Sequence, residues 1–144
     1  MDPNASKASR GQRLKMTPPA APKRDLAWWS AEPGARNKAE EEFRQLPDDI
    51  QGQLLGAMKR YLDEVSRPGD VKKLDQSIWE WRTHKGNNHF RVLFFSWGHV
   101  CVALTAFYKN QQQTPPQDLK RAHDRRKTWV ETRGILPADG WTKE

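Results

Sequence analysis

Apolar positions in the first third of the chain recur at a helical period. Across Ala35–Leu46 they stand at Ala35, Ala39, Phe43 and Leu46, three or four apart, which predicts an amphipathic helix closed by Pro47. A second helix is predicted from Asp48. It has acids in its first turn and Ile50, Leu54, Leu55, Met58, Tyr61, Leu62 and Val65 on one stripe, and Arg67-Pro68-Gly69-Asp70 stops it. Two helices joined by a tight proline turn make an αα-hairpin. The period then changes. Ile78–His84, His89–Trp97 and Val100–Lys109 are rich in aromatic and β-branched residues. Turn formers at Lys85-Gly86-Asn87-Asn88 and Gly98-His99 separate them, so the pattern predicts a three-stranded meander. Asp25–Ser30, bounded by Pro22 and Pro33, suits a short strand before the hairpin.

After the loop Asn110–Pro116, Asp118–Arg133 predicts a last helix. Leu119, Ala122, Trp129 and Val130 face its core side, and Lys120, Arg121, Arg125 and Lys127 its outer side. The order is β-αα-βββ-α. The expected fold class is α+β, with a small antiparallel sheet packed against a helical hairpin plus a C-terminal helix. Trp79 and Trp81 alternate with Glu80 and Arg82, and packing against the hairpin is preferred for them over base stacking.

Strand register brings charges together. With Gly86-Asn87 as a two-residue loop, Arg82 lies opposite Arg91, and opposed like charges are unfavourable unless an anion bridges them. Such a guanidinium pair is suited to gripping a phosphate bidentately; equally, both can point to water and neutralise Glu80. The second hairpin has two possible registers. A two-residue Gly98-His99 loop puts Tyr108 on the face of Arg91. A three-residue loop including Val100 puts Phe107 and Lys109 there, and is favoured because it sets Val92 and Phe94 against Ala106, Leu104 and Val102.

Charge narrows the classes further. The 144 residues allow one domain and carry 25 Lys+Arg against 18 Asp+Glu, a net charge of +7. Residues 1–24, rich in Ser, Pro and Ala, hold six basic groups and one acid, so they are expected to be a disordered basic tail ahead of a single domain over 25–144. Such a tail serves either as a nucleic-acid-attracting arm or as a solvated leader. Residues 78–133 hold ten basic and four acidic groups, a possible footprint for phosphate. The single cysteine, Cys101, excludes an intramolecular disulfide. His84, His89, His99 and His123 lack metal-ligand spacing, so neither metal nor cofactor is expected. No run is long and apolar enough for a membrane span, and the basic N-terminus lacks the apolar stretch of a secretory signal, so a cytoplasmic location is expected.

The run Asn87–Trp97 (NNHFRVLFFSW), followed by Val102–Pro115 (VALTAFYKNQQQTP), resembles the HigB-type toxins of the RelE/ParE superfamily, in particular the mycobacterial and phage-derived branch. The resemblance extends through Glu41–Ile50, the IWEWR strand and Ala122–Trp129, covering roughly residues 26–130. It implies a RelE-like fold and a toxin that cuts mRNA in the ribosomal A site, held inactive by a HigA-like helix-turn-helix antitoxin. The implied chemistry is metal-free: the RNA's own 2′-OH attacks the adjacent phosphate, leaving a cyclic phosphate and a 5′-OH. Carried over by position, Arg91 and Arg82 would stabilise phosphate and transition-state charge, and Lys109 the phosphate or leaving group. His84 and Tyr108 are candidates for proton transfer, and Lys85, Lys120, Arg121, Arg125 and Arg126 for RNA binding. The chain departs from the pattern in having Lys109-Asn110 where many members have consecutive basic residues. Two rival functions share the scaffold: a DNA gyrase poison, and a non-catalytic nucleic-acid or partner-binding module. The acids Glu40, Glu41, Glu42, Asp48 and Asp49 offer a basic partner a complementary surface, or merely favour helix N-termini.

Overall fold

Eight elements follow one another in the computed structural model, which describes residues 23–110 and 113–137. They are β1 (Asp25–Trp28), α1 (Lys38–Arg44), α2 (Asp48–Leu62), β2 (Val71–Lys73), β3 (Trp79–Lys85), β4 (Asn88–Trp97), β5 (Val100–Lys109) and α3 (Pro116–Arg133). The expected order is present, and the fold is RelE-like α+β. The sheet has five strands in the order β1-β5-β4-β3-β2 and is mixed rather than antiparallel, because β1 runs parallel to β5. The segment 1–22 of the expected tail lies outside the described residues. Arg24, placed in that tail, is buried in the domain and ion-paired to Glu64 at 3.1 Å.

The strand β2 was not expected. Two of its three residues are lysines, so it has no alternating apolar signal, and only its pairing with the edge of β3 defines it. Lysines on an edge strand discourage further strand addition. Asp70 fixes its start, accepting two hydrogen bonds from Arg60 at 2.7 and 2.8 Å and one from the Arg67 backbone N–H. The helix α2 is shorter than its apolar stripe suggested. Glu64 takes a left-handed φ of 62° just beyond it, which leaves Val65 exposed, and Leu55 also faces outward.

The sheet separates two apolar layers. Phe43, Ile50, Leu54 and Met58 of the helical hairpin meet Trp81, Val92 and Phe94 on one face. There Trp81 stacks on Phe94 at 3.7 Å and Tyr61 meets both edge-on, so Trp79 and Trp81 do pack on the helical side. The other face, which two helices cannot reach, is covered by Ala122 and Trp129 of α3 over Leu93, Phe95, Val102 and Leu104. Among the described residues, no helix is long and apolar enough to cross a membrane.

The second hairpin combines features of both registers. Trp97 pairs with Val100, so Gly98-His99 is a two-residue loop, with Gly98 at φ 59°. The pairing then shifts between Leu93, opposite Thr105, and Phe94, opposite Ala103, leaving Leu104 as the extra residue of a β-bulge. The bulge reverses the alternation. Beyond it, Phe107 and Lys109 share the face of Arg91, as a three-residue loop would have required, and Tyr108 does not. Phe94 therefore lies opposite Ala103, not Leu104.

Candidate active site

On the α3 side the sheet becomes polar towards the β3–β4 turn, and three cross-strand rows define the surface. Thr105, Leu93 and Glu80 form the first, Phe107, Arg91 and Arg82 the second, and Lys109, His89 and His84 the third. The opposition of Arg82 and Arg91 expected from the sequence is present. The anion between them is internal: the Glu80 carboxylate lies 3.5 Å from Arg82 Nε and 3.4 Å from Arg91 Nε. The expected alternatives thus meet halfway. The arginines neutralise Glu80, but in the protein interior rather than in water, since Glu80 is only 1% exposed. Its other oxygen accepts a hydrogen bond from Thr114 Oγ1 at 2.8 Å, tying the sheet to the loop before α3.

Burial divides the two arginines by role. The side chain of Arg91 is 3% exposed, against 21% for Arg82 and 27% for Lys109. Arg91 Nη1 donates to the carbonyls of Phe90 and Thr83, and Nη2 lies 3.4 Å from His89 Nδ1. Burial pushes the Arg91 guanidinium below its ordinary pKa; Glu80 opposes that shift and Arg82 adds to it. The same surroundings act on His89. Burial, then the neighbouring Arg91, His84 and Arg82, lower its pKa. The rings of His84 and His89 lie 5.8 Å apart.

The first turn of α3 supplies the facing wall. Asp118, buried there, accepts a hydrogen bond from Arg121 at 2.8 Å and lies 3.7 Å from Lys109 Nζ. The cluster of Arg82, His84, His89, Lys109 and Arg121 therefore lies between the end of the sheet and the start of α3, with Glu80 and Asp118 behind it. Such a surface can bind an anion and donate several hydrogen bonds to phosphate oxygens.

The other candidates lie elsewhere. Tyr108 is on the opposite face, ring against Phe90 at 5.4 Å, with its hydroxyl donating to Asn88. Lys85 also projects to the α2 side, where it pairs with Asp49 at 3.0 Å. Lys120 is exposed and pairs with Asp124 along α3. Arg125, expected on the outer face, turns inward. It donates to Glu42 and the Leu104 carbonyl and lies 4.6 Å over the ring of Trp29, because Glu42 of α1 comes close to α3 here. Arg126 lies 5.3 Å over Phe95 and lines a groove of about 670 Å³ with Lys73, Trp79, Trp97 and Lys127, at the other end of the sheet. That groove is remote from the cluster.

Sequence reasoning weighed His89 only as a metal ligand and did not place it at the site. The register that predicted Arg82 opposite Arg91 also pairs His84 with His89, and that was the available signal. Most of the acids expected to attract a partner are already engaged: Glu40 with Arg44, Glu41 with Arg36, Glu42 with Arg125, and Asp49 with Lys85.

Fold and cluster together define a class: a small α+β protein of RelE-like order with a cationic, imidazole-bearing sheet face under its last helix. The model of the phage-derived Gp49-like protein family matches residues 41–127, which includes the strands and most of α3 that form this face. Two relatives from Mycobacterium tuberculosis, strains CDC 1551 / Oshkosh and ATCC 25618 / H37Rv, are each named "Probable endoribonuclease HigB1". Each is 43% identical over 122 residues, covering 83% of this chain and 98% of the relative. The chain belongs to this Gp49-like family and is a toxin of the HigB type.

Proposed function

We propose that the chain is the endoribonuclease toxin of a toxin–antitoxin pair, cleaving mRNA in the ribosomal A site with the α3-side face of its sheet. The observation that carries the reading is the cluster of Arg82, His84, His89 and Lys109 on one face of a HigB-type chain. RNA supplies its own nucleophile. The 2′ oxygen attacks the adjacent phosphorus, the bond to the 5′ oxygen breaks, and a 2′,3′-cyclic phosphate and a 5′-OH result. The protein must accept the 2′ proton, stabilise the added phosphoryl charge and protonate the leaving oxygen. His84, an exposed imidazole, is assigned to the 2′ proton, because imidazole is the side chain that exchanges protons near neutral pH. Arg82 and Lys109 bind the phosphoryl oxygens, and the Lys109 ammonium gives a proton to the leaving 5′ oxygen as its bond to phosphorus breaks. The mechanism uses no metal ion: the side chains gathered here are cations and imidazoles, and both carboxylates are held by cations.

In this reading the ribosome orients the mRNA, and a HigA-like helix-turn-helix antitoxin restrains the toxin in the cytoplasm. The assay is primer extension on a defined mRNA, free and on programmed ribosomes with an open A site. Cuts that need the ribosome support the proposal. Cuts on free RNA would make this an autonomous RNase. No cuts by folded protein would favour gyrase poisoning or a binding role.

A further inference from the structure

We infer that His89 serves the site as a neutral hydrogen-bond donor, its ring oriented by Arg91 so that Nε2–H is the group offered to a phosphoryl oxygen of the RNA. This rests on the proposal that the α3-side face handles RNA phosphate. A guanidinium carries only donors, so the 3.4 Å contact between Arg91 Nη2 and His89 Nδ1 is a hydrogen bond only if Nδ1 accepts. The single proton of the neutral ring then belongs to Nε2. A second proton would set an N–H of the ring against the guanidinium.

The groups around the ring act in the same direction. From β3 come His84, paired across the ladder, and Arg82 one row on; from β5 comes Lys109, the opposite cross-strand partner. From α3, Asp118 and Arg121 are engaged with each other, and Asp118 also faces Lys109. Arg91 itself is too buried to meet a substrate, and Glu80 and the carbonyls of Thr83 and Phe90 hold it in place. It is therefore a positioning residue that acts through His89. The arrangement separates charge from direction: Arg82 and Lys109 supply positive charge, while His89 supplies a donor of fixed tautomer. A preorganised donor stabilises developing oxyanion charge without reorganising during the reaction.

Two measurements test this on the full chain. Long-range ¹H–¹⁵N NMR of labelled protein should show His89 as the Nε2–H tautomer, still neutral below the ordinary histidine value of about 6.5. Arg91→Gln or Arg91→Ala should yield mixed tautomers and a raised pKa at His89, and the second variant guards against failure of the first to fold. An Nδ1–H ring, or a normal titration in the wild-type protein, would overturn the inference. In the ribosome cleavage assay, His89→Gln places an amide N–H near Nε2, whereas His89→Asn places it near Nδ1. Cleavage within about threefold of wild type is expected for the glutamine and a loss of tenfold or more for the asparagine. Equal rates in the two would remove the Nε2 role. Wild-type protein that cuts nothing would overturn the RNA reading and the role of His89 within it, while the tautomer result would still show whether Arg91 sets the ring.

Discussion

Glu80 shows most directly how one residue holds the site together. It is a buried carboxylate between two arginines, one of them almost fully enclosed. Removing it by Glu80→Ala strands the Arg91 charge away from water, and losing one partner of such a pair costs about 3 kcal/mol. Urea denaturation should show that loss, with a smaller one for Glu80→Gln, which still accepts from Thr114. A Glu80→Ala protein as stable as wild type would mean that Arg91 finds compensation elsewhere. Cys101 provides a second check at this scale. Burial raises its thiol pKa to about 12, so the reactive thiolate is scarce in the folded protein. Iodoacetamide at pH 8 should leave it unmodified until urea is added; rapid labelling of native protein would contradict its burial.

Among the elements, the short segment before β2 carries a pH-dependent ion pair. Arg60's hydrogen bonds hold the Asp70 carboxyl below the ordinary carboxylate range, against the opposing effect of burial. A lowered folded-state pKa gives stability that is present above the unfolded value and lost as pH falls through the folded one. Asp70→Asn should therefore cost about 2 kcal/mol at neutral pH and flatten the acid limb of the stability curve. An unchanged acid limb would show that the Arg60 pair contributes little. The elements themselves were legible where apolar spacing was strong: the core-facing positions of α2, the three long strands and α3 follow from it. Two features were not. The strand β2 has no pattern of its own and exists through pairing with β3. The bulge at Leu104 is a local two-against-one count that alternation cannot reveal, yet it decides that Lys109, not Tyr108, joins Arg91. At the site, the arginine pair was legible from hairpin arithmetic, whereas the burial of Arg91 and the inward turn of Arg125 depend on α3 and α1 closing over the sheet.

In the molecule as a whole, charge is organised by face rather than by the net value of +7. The acids of the helical hairpin are largely paired within the chain, while Arg82, Lys109 and Arg121 gather at one end of the sheet. Binding of single-stranded RNA should weaken with salt, with a log–log slope of about −2 if those three cations each meet a phosphate. Arg82→Ala should reduce that slope, measured by fluorescence anisotropy. A slope unchanged by this substitution would place RNA on another surface.

In the proposed function, the α3-side face of the sheet does the chemistry and the opposite face does not. The most direct test compares the two faces in one ribosome-programmed cleavage assay, with each variant first shown to be folded. Arg82→Ala and Lys109→Ala should each reduce the cleavage rate by tenfold or more, whereas Tyr108→Phe and Lys85→Ala, on the α2 side, should cut at the wild-type rate within about twofold. Loss of cleavage in the Tyr108 or Lys85 variant, with Arg82→Ala and Lys109→Ala still active, would move the active site to the other side of the sheet and contradict the account.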